Sequence, residues 1–175
     1  MMKIRLLILT FFALSTGCVY SQVSLIEARN LYFQMDNDEC NALVLSDKFK
    51  QSPPAGALLK AYYGAASAAA PACLNSPMSK LSSFRRGKQL LDEAVFQQPD
   101  NTEIRFLRFA TQTKAPAFLG YNQNTGNDKQ IIVKTIEHFS KKEENKTVAG
   151  HIARFMIASG ELNTAEKAVF ERLLK

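Results

Sequence analysis

Apolar side chains recur along this 175-residue chain at steps of three and four, and nowhere do they alternate for long. That rhythm gathers them on one face of a helix and leaves no run with the two-residue period of a half-buried strand. The residue types agree. Trp is absent and Gly occurs only eight times, while Ala, Leu, Lys, Glu and Gln are plentiful, a mixture that favours helix over strand. The expectation is an all-α fold.

Punctuation divides the pattern into about eight helices. The first runs from about Ser24 to Met35, with Ser24 as cap and Leu25, Ala28, Leu31, Tyr32 and Met35 on one face. Asp36-Asn37-Asp38 breaks it, and a second helix to about Lys50 buries Ala42, Leu43, Leu45 and Phe49. Ser52-Pro53-Pro54 is a hard stop. A third helix, Ala55 to Ala70, presents Gly64, Ala65, Ala68 and Ala69, small enough to admit a neighbour closely, and Pro71 ends it. The fourth spans Met78 to Gln97, with Pro77 near the first turn, where its missing N–H is harmless. After Gln98-Pro99-Asp100-Asn101, either Asn101 or Thr102 caps a fifth helix through Thr113. Lys114 to Thr125 is irregular; Asn127 and Gln130 then have the spacing of a capping box for a sixth helix to about Ser140. Thr147 to Ser159 and Thr164 to Leu174, joined at Gly160, complete the set. Links this short make consecutive helices antiparallel neighbours.

The amino terminus speaks of destination. Lys3 and Arg5 precede an apolar run from Leu6 to Leu14, and the small, polar segment Ser15 to Ser21 follows. That is the layout of a secretory signal peptide. A helix from Leu6 to Tyr20 would reach about 22 Å, short of the roughly 30 Å hydrocarbon core of a bilayer. Cleavage after Ser21 puts Val19 and Ser21 at the two positions the peptidase reads and leaves Gln22 as the new terminus. The rival is a lipoprotein signal ending before Cys18, which would then carry the lipid, although Ser15 sits where such signals usually place Leu. Either way residues 1–21 are a leader, residues 22–175 form a single α-helical domain, and the protein is exported, periplasmic or secreted, or anchored through Cys18.

Removing the leader leaves 154 residues, and of the 22 basic residues Lys3 and Arg5 go with it, so 20 face 16 acidic ones, a net charge of +4. Scattered along the chain, that excess is no nucleic-acid footprint. Cys40 and Cys73 remain. The first lies near the start of one helix and the second just past the end of the next, the same end of an antiparallel pair. A disulfide there is chemically feasible in an exported chain; two unpaired, buried thiols are the alternative.

Motifs for chemistry are scarce. His138 and His151 lack carboxylates at metal-ligand spacing, and Asp36-Asn37-Asp38-Glu39 places Cys40 and Asn41 where a calcium loop needs an oxygen ligand and Gly. No nucleophile elbow, phosphate loop or cofactor motif occurs. One polar cluster stands out: Arg105, Arg108 and Gln112 share a face of the fifth helix, beside a loop carrying Phe118 and Tyr121. Arginine forks suit carboxylates, and an aromatic loop beside them suits a peptide or partner groove. The plainer account is a solvated face, or pairing with Glu103 and nearby acids to fix the loop. Arg85, Arg86 and Lys88 read as a wet helix face.

Gly87, Leu91, Ala94 and Pro99, with the Pro-Asp-Asn turn, resemble the second helix of a tetratricopeptide repeat. Ile152, Ala153, Met156, Gly160, Ala165 and Val169 follow that repeat's order of large and small residues across two helices. The pattern is degenerate: Arg105 and Arg108 fall where the next repeat would bury apolar residues, and the Pro71 to Pro77 piece occupies the place of a first helix. The resemblance implies a right-handed, repeat-like array of hairpins. The segments Lys80-Leu81, Phe84, Gly87-Lys88, Pro99 to Asn101, Glu103 to Arg108 and Ala115 to Asn122, with Asp128-Lys129, also resemble an uncharacterised family of short exported Bacteroidota proteins. That likeness implies export and a helical fold, and no activity. The functional expectation is a non-catalytic protein- or peptide-binding or scaffolding module of the cell envelope, with no cofactor, no nucleic acid and an unidentified protein or peptide partner. The alternative is a small enzyme with a site near Arg105, Arg108 and Tyr121.

Overall fold

The computed structural model describes residues 22–175 apart from Asp36 and Glu39. The leader, its cleavage site and Cys18 lie outside the described residues. Among those described there are eight α-helices and no strand: α1 (Leu25–Phe33), α2 (Asn41–Gln51), α3 (Ala57–Ala69), α4 (Pro77–Gln97), α5 (Thr102–Lys114), α6 (Thr125–Ser140), α7 (Lys146–Ala158) and α8 (Thr164–Arg172). Short 3-10 turns lie at Ala70–Cys73, Ala117–Leu119 and Glu143–Asn145.

Local chemistry accounts for most of the boundaries. The Ser24 hydroxyl accepts from the Glu27 N–H at the start of α1, and the Asn101 side chain accepts from the Glu103 and Ile104 N–H groups at the start of α5. Pro77 begins α4. The start of α6 differs from the sequence reading. The helix expected to open on an Asn127–Gln130 capping box begins at Thr125 after Asn124, with no side-chain cap, so Asn127 lies inside its first turn. α8 begins at Thr164 as the sequence indicates, on a reciprocal box in which Asn163 accepts from the Glu166 N–H and the Glu166 carboxylate accepts from the Asn163 N–H. The first helix also ends at Phe33, short of Met35.

Contacts between α2 and α3 step in opposite directions along the two helices. Cys40 is bonded to Cys73 across a Cα–Cα distance of 5.6 Å; further along, the hydroxyls of Ser46 and Ser67 are 3.1 Å apart, and the rings of Phe49 and Tyr63 pack at 5.4 Å. The α3–α4 contacts reverse in the same way, from Ser83 on the Ser67 carbonyl to Lys60 on Glu93. This is the tightest seam of the molecule. A Cβ built on Gly64 would lie 2.9 Å from the Gly87 carbonyl oxygen, and one on Gly87 would lie 2.5 Å from the Ala68 nitrogen and the Gly64 oxygen. The two backbones touch because neither glycine has a side chain.

The apolar core runs through every helix, from Ala28 in α1 to Phe170 in α8. Its largest fully enclosed side chains include Tyr62, Phe49, Phe106, Phe109 and Leu91, each contributing about 1.5–3 kcal/mol by leaving water. Ile152, Ala153 and Met156 of α7 are buried, whereas Ala165 of α8 is exposed and Phe170 is buried. Gly160, with φ of +75°, supplies the left-handed residue that ends the α7 turn.

Candidate functional site

Two polar clusters and one groove account for the conspicuous residues. In the first cluster α5 and α6 bring Arg105, Arg108 and Gln112 onto one carboxylate, Asp128, which is fully buried. Arg105 donates from Nη1 to Asp128 Oδ1 at 2.7 Å, and Arg108 donates from Nε to Oδ2 and from Nη2 to Oδ1, both at 2.8 Å. Gln112 Nε2 donates to Oδ2 at 2.7 Å, while its Oε1 accepts from the Asn124 N–H at the start of α6. Arg105 Nε also donates to the Pro99 carbonyl, tying the α4–α5 turn to the cluster. Asp92 of α4 closes the outer side, accepting from Arg108 Nη1 and from the Tyr121 hydroxyl. Burial pulls the Arg108 pKa down, but the bonds to Asp128 and its charge outweigh that and leave it raised. Burial, and then the Asp92 charge, push the Tyr121 hydroxyl far above the ordinary tyrosine range.

The three side chains share one face, and of the accounts the sequence leaves open it is pairing with a nearby acid that holds, the acid being Asp128. The face is buried rather than solvated. Glu103 is not their partner. Glu103 lies in a second buried cluster, where Arg29 grips both its oxygens at 2.8 and 2.6 Å and the Tyr62 hydroxyl donates to it. Its carboxylate raises the Arg29 pKa; burial and the same carboxylate hold the Tyr62 hydroxyl well above its usual range. Among the described residues no buried side-chain nitrogen or oxygen lacks a hydrogen-bond partner. Both clusters therefore do structural work, joining α1, α3 and α5 in one case and α4, α5 and α6 in the other.

The remaining two expected site residues separate. Tyr121 is buried with the arginine cluster, whereas Phe118 is 86% exposed on the 3-10 turn after α5. A cavity of about 360 Å³ is lined by Tyr121 and Gln112 but not by Arg105 or Arg108. Phe118 belongs to something larger. It stands over a groove of about 1400 Å³ lined by residues of α1, α2, α3, α4, α5 and α7. Its walls are aromatic and small: Phe33, Phe84, Phe106 and Phe155, with alanines of α3 and α5 between them. Four basic side chains reach it, Lys80, Lys114, His151 and Arg154. His151 stacks on Phe33 at 4.3 Å, and the Lys114 ammonium lies 5.4 Å from the centre of the Phe155 ring.

Of the wall residues only Phe118 stands out in the sequence as a candidate for binding, and nothing local brings the other walls together. The small-residue face of the third helix is a second legible trace, through Ala65, Ala68 and Ala69. Among the described residues no group of His, Cys, Asp and Glu is placed to hold a metal ion, and no helix is long and apolar enough to cross a membrane. Comparison with protein-family models, with curated proteins and with solved structures found no match.

Proposed function

We propose that this protein is an exported, non-catalytic binding module of the cell envelope, and that its groove receives an apolar segment of a protein or peptide partner. The observation that carries the reading is the groove itself. At about 1400 Å³ it exceeds the roughly 300–1,000 Å³ of ordinary small-molecule sites, and its lining is dominated by Phe, Ala and Pro side chains. An aromatic and alanine-lined groove suits recognition through apolar side chains packed into it. Export draws support from the leader pattern and from the Cys40–Cys73 bond, a linkage that persists in oxidising compartments. The reversed contacts of α2 with α3 and of α3 with α4, sealed at Gly64 and Gly87, support a degenerate, tetratricopeptide-like right-handed array of hairpins; the exposed Ala165 marks its departure at α8.

The test uses Ala158, an exposed groove residue on α7. A neutral naphthylamine fluorophore brightens on the wild-type protein, and Ala158→Arg abolishes the signal while circular dichroism is unchanged. A partner crosslinked in the envelope is lost with the same substitution. A protein that leaves the probe dark, or that holds its partner equally well as Ala158→Arg, overturns the reading. Export is tested separately by mass spectrometry of the amino terminus: pyroglutamate at Gln22 and a lipidated Cys18 are its two forms, and a retained Met1 refutes it.

A further inference from the structure

The outer face of α4 carries two of the most exposed apolar side chains among the described residues, Met78 at 76% and Phe96 at 87%. They are eighteen residues apart, which is five turns of helix, so they point the same way about 27 Å from one another. Between them on the same stripe lie Ser82, Arg85 and Gln89, all exposed, and Glu93, whose side chain is 42% exposed. The other sides of the helix are occupied. Phe84, Gly87, Leu91 and Ala94 are buried, and the groove takes Lys80 and Phe84, which lie a third of a turn or more from the stripe. We infer that a second copy of this chain docks on the stripe, with the two α4 helices antiparallel about a two-fold axis level with Gly87.

A two-fold interface uses the same patch on both copies, so the patch has to fit itself. In this register it does. Met78 lies level with Phe96 of the second copy, and Phe96 with its Met78, so both apolar ends are covered together. Arg85 lies level with Gln89 of the second copy. Gln89 gives an amide hydrogen to Glu93 at 2.9 Å, which leaves its carbonyl oxygen as the acceptor for a guanidinium. Ser82 falls within one residue's rise, about 1.5 Å, of Glu93 of the second copy. Glu93 already accepts from Lys60 and Gln89, and its carboxylate has room for a further donor. The charges run in the same order. Arg85 and Arg86 lie in the first half of the stripe and Asp92 and Glu93 in the second, so antiparallel helices set basic against acidic where parallel ones would set like against like.

A seam about 27 Å long and one helix wide, about 10 Å, falls below the roughly 1,200 Å² of a standard interface. The association is therefore weak, and its charge pattern sets register more than strength. Because the groove lies on another side of α4, the dimer presents two grooves, and a partner with repeated segments gains by engaging both.

Sedimentation velocity of the protein isolated from the envelope, at rising concentration, reads the equilibrium between monomer and dimer. Phe96→Asp removes the dimer. Arg85→Glu raises its dissociation constant roughly tenfold or more, because every substitution acts twice in a symmetric pair, and adding Gln89→Arg to it restores association. Circular dichroism is unchanged throughout. A short bis-maleimide reads the register: a mixture of Met78→Cys and Phe96→Cys proteins gives the mixed crosslink, whereas Phe96→Cys alone gives none, its two copies standing about 27 Å apart. Wild-type protein, whose Cys40 and Cys73 are bonded to one another, is the blank. A protein still monomeric at about 1 mM overturns the inference. So does a dimer indifferent to Phe96→Asp and Arg85→Glu, or a Phe96→Cys protein that crosslinks to itself. Binding of a monomer to phosphatidylglycerol vesicles, lost with those two substitutions, overturns it in favour of a lipid surface.

Discussion

Replacing Gly87 by Ala sets two effects of opposite sign against each other. Within a helix interior the change favours folding by about 1 kcal/mol, because Ala loses less backbone freedom than Gly. The structure opposes it: the new Cβ would sit 2.5 Å from both the Ala68 nitrogen and the Gly64 oxygen, and 2.7 Å from the Ala68 Cβ. Two of those three neighbours are backbone, so no rotamer change relieves the contact and α3 and α4 must separate by close to an ångström. Overpacking of that kind costs about 1–3 kcal/mol and occasionally more, and a gap of 0.5–1 Å along the seam forfeits roughly a quarter to a half of each contact's dispersion energy. The clash and the loosened seam together come to about 3 kcal/mol, which leaves about 2 kcal/mol of net destabilisation. For a chain of this size that lowers the melting temperature by about 4–8 °C. Urea unfolding followed by circular dichroism gives the free energy directly. Gly126→Ala is the control: it lies in α6 with nothing within 4 Å of its added Cβ, and it should stabilise by about 0.5–1 kcal/mol. Because the closest obstacles are main-chain atoms, Ala68→Gly should rescue Gly87→Ala only in part. A Gly87→Ala protein as stable as the wild type would refute the close-contact seam.

Asp128→Asn leaves Arg105 and Arg108 facing a neutral amide inside the core, and stability should fall by about 3–5 kcal/mol; Asp47→Asn, which breaks the exposed Lys50 pair, should cost less than about 1 kcal/mol, and equal effects in denaturant titrations would contradict the buried cluster. Reducing the Cys40–Cys73 bond, whose sulfurs belong to residues 33 apart in sequence, should remove about 3–4 kcal/mol on a chain-entropy basis; a melting temperature indifferent to reductant would count against it. At α8 the Asn163 backbone N–H, followed by the Lys129 ion pair, lowers the Glu166 pKa. The charged form is thus favoured by the fold, so its contribution is complete above the unfolded value near ~4.3 and disappears as pH falls through the lower folded value. Amide exchange in α8 should accelerate over that acidic window in the wild type and show no such step in Glu166→Gln; a step that persists in the variant would assign it to another group.

Helix positions were legible in the sequence because their causes lie within a few residues. Hydrophobic spacing, Ser24 and Asn101 as caps, Pro77 at a first turn and the Ser52-Pro53-Pro54 stop act through the local backbone, and α4 and α5 fall within a residue of where those signals place them. At the start of α6 the Asn127–Gln130 spacing does not form a cap, because the helix begins two residues earlier and Asn127 lies inside its first turn. The cysteine pair occupies one end of α2 and α3, the place that the antiparallel reading gives it, though only the packed structure chooses between bonded and free thiols. The fate of Arg105 and Arg108 was beyond local reasoning. A helical face of arginines is solvated or buried according to whether a carboxylate waits opposite, and Asp128 arrives from another helix. The groove belongs to the same class. Its lining comes from six helices and the turns between them, so it exists only once they are packed together. Secondary structure is a property of neighbours along the chain; a cavity, and the charge around it, is a property of neighbours in space.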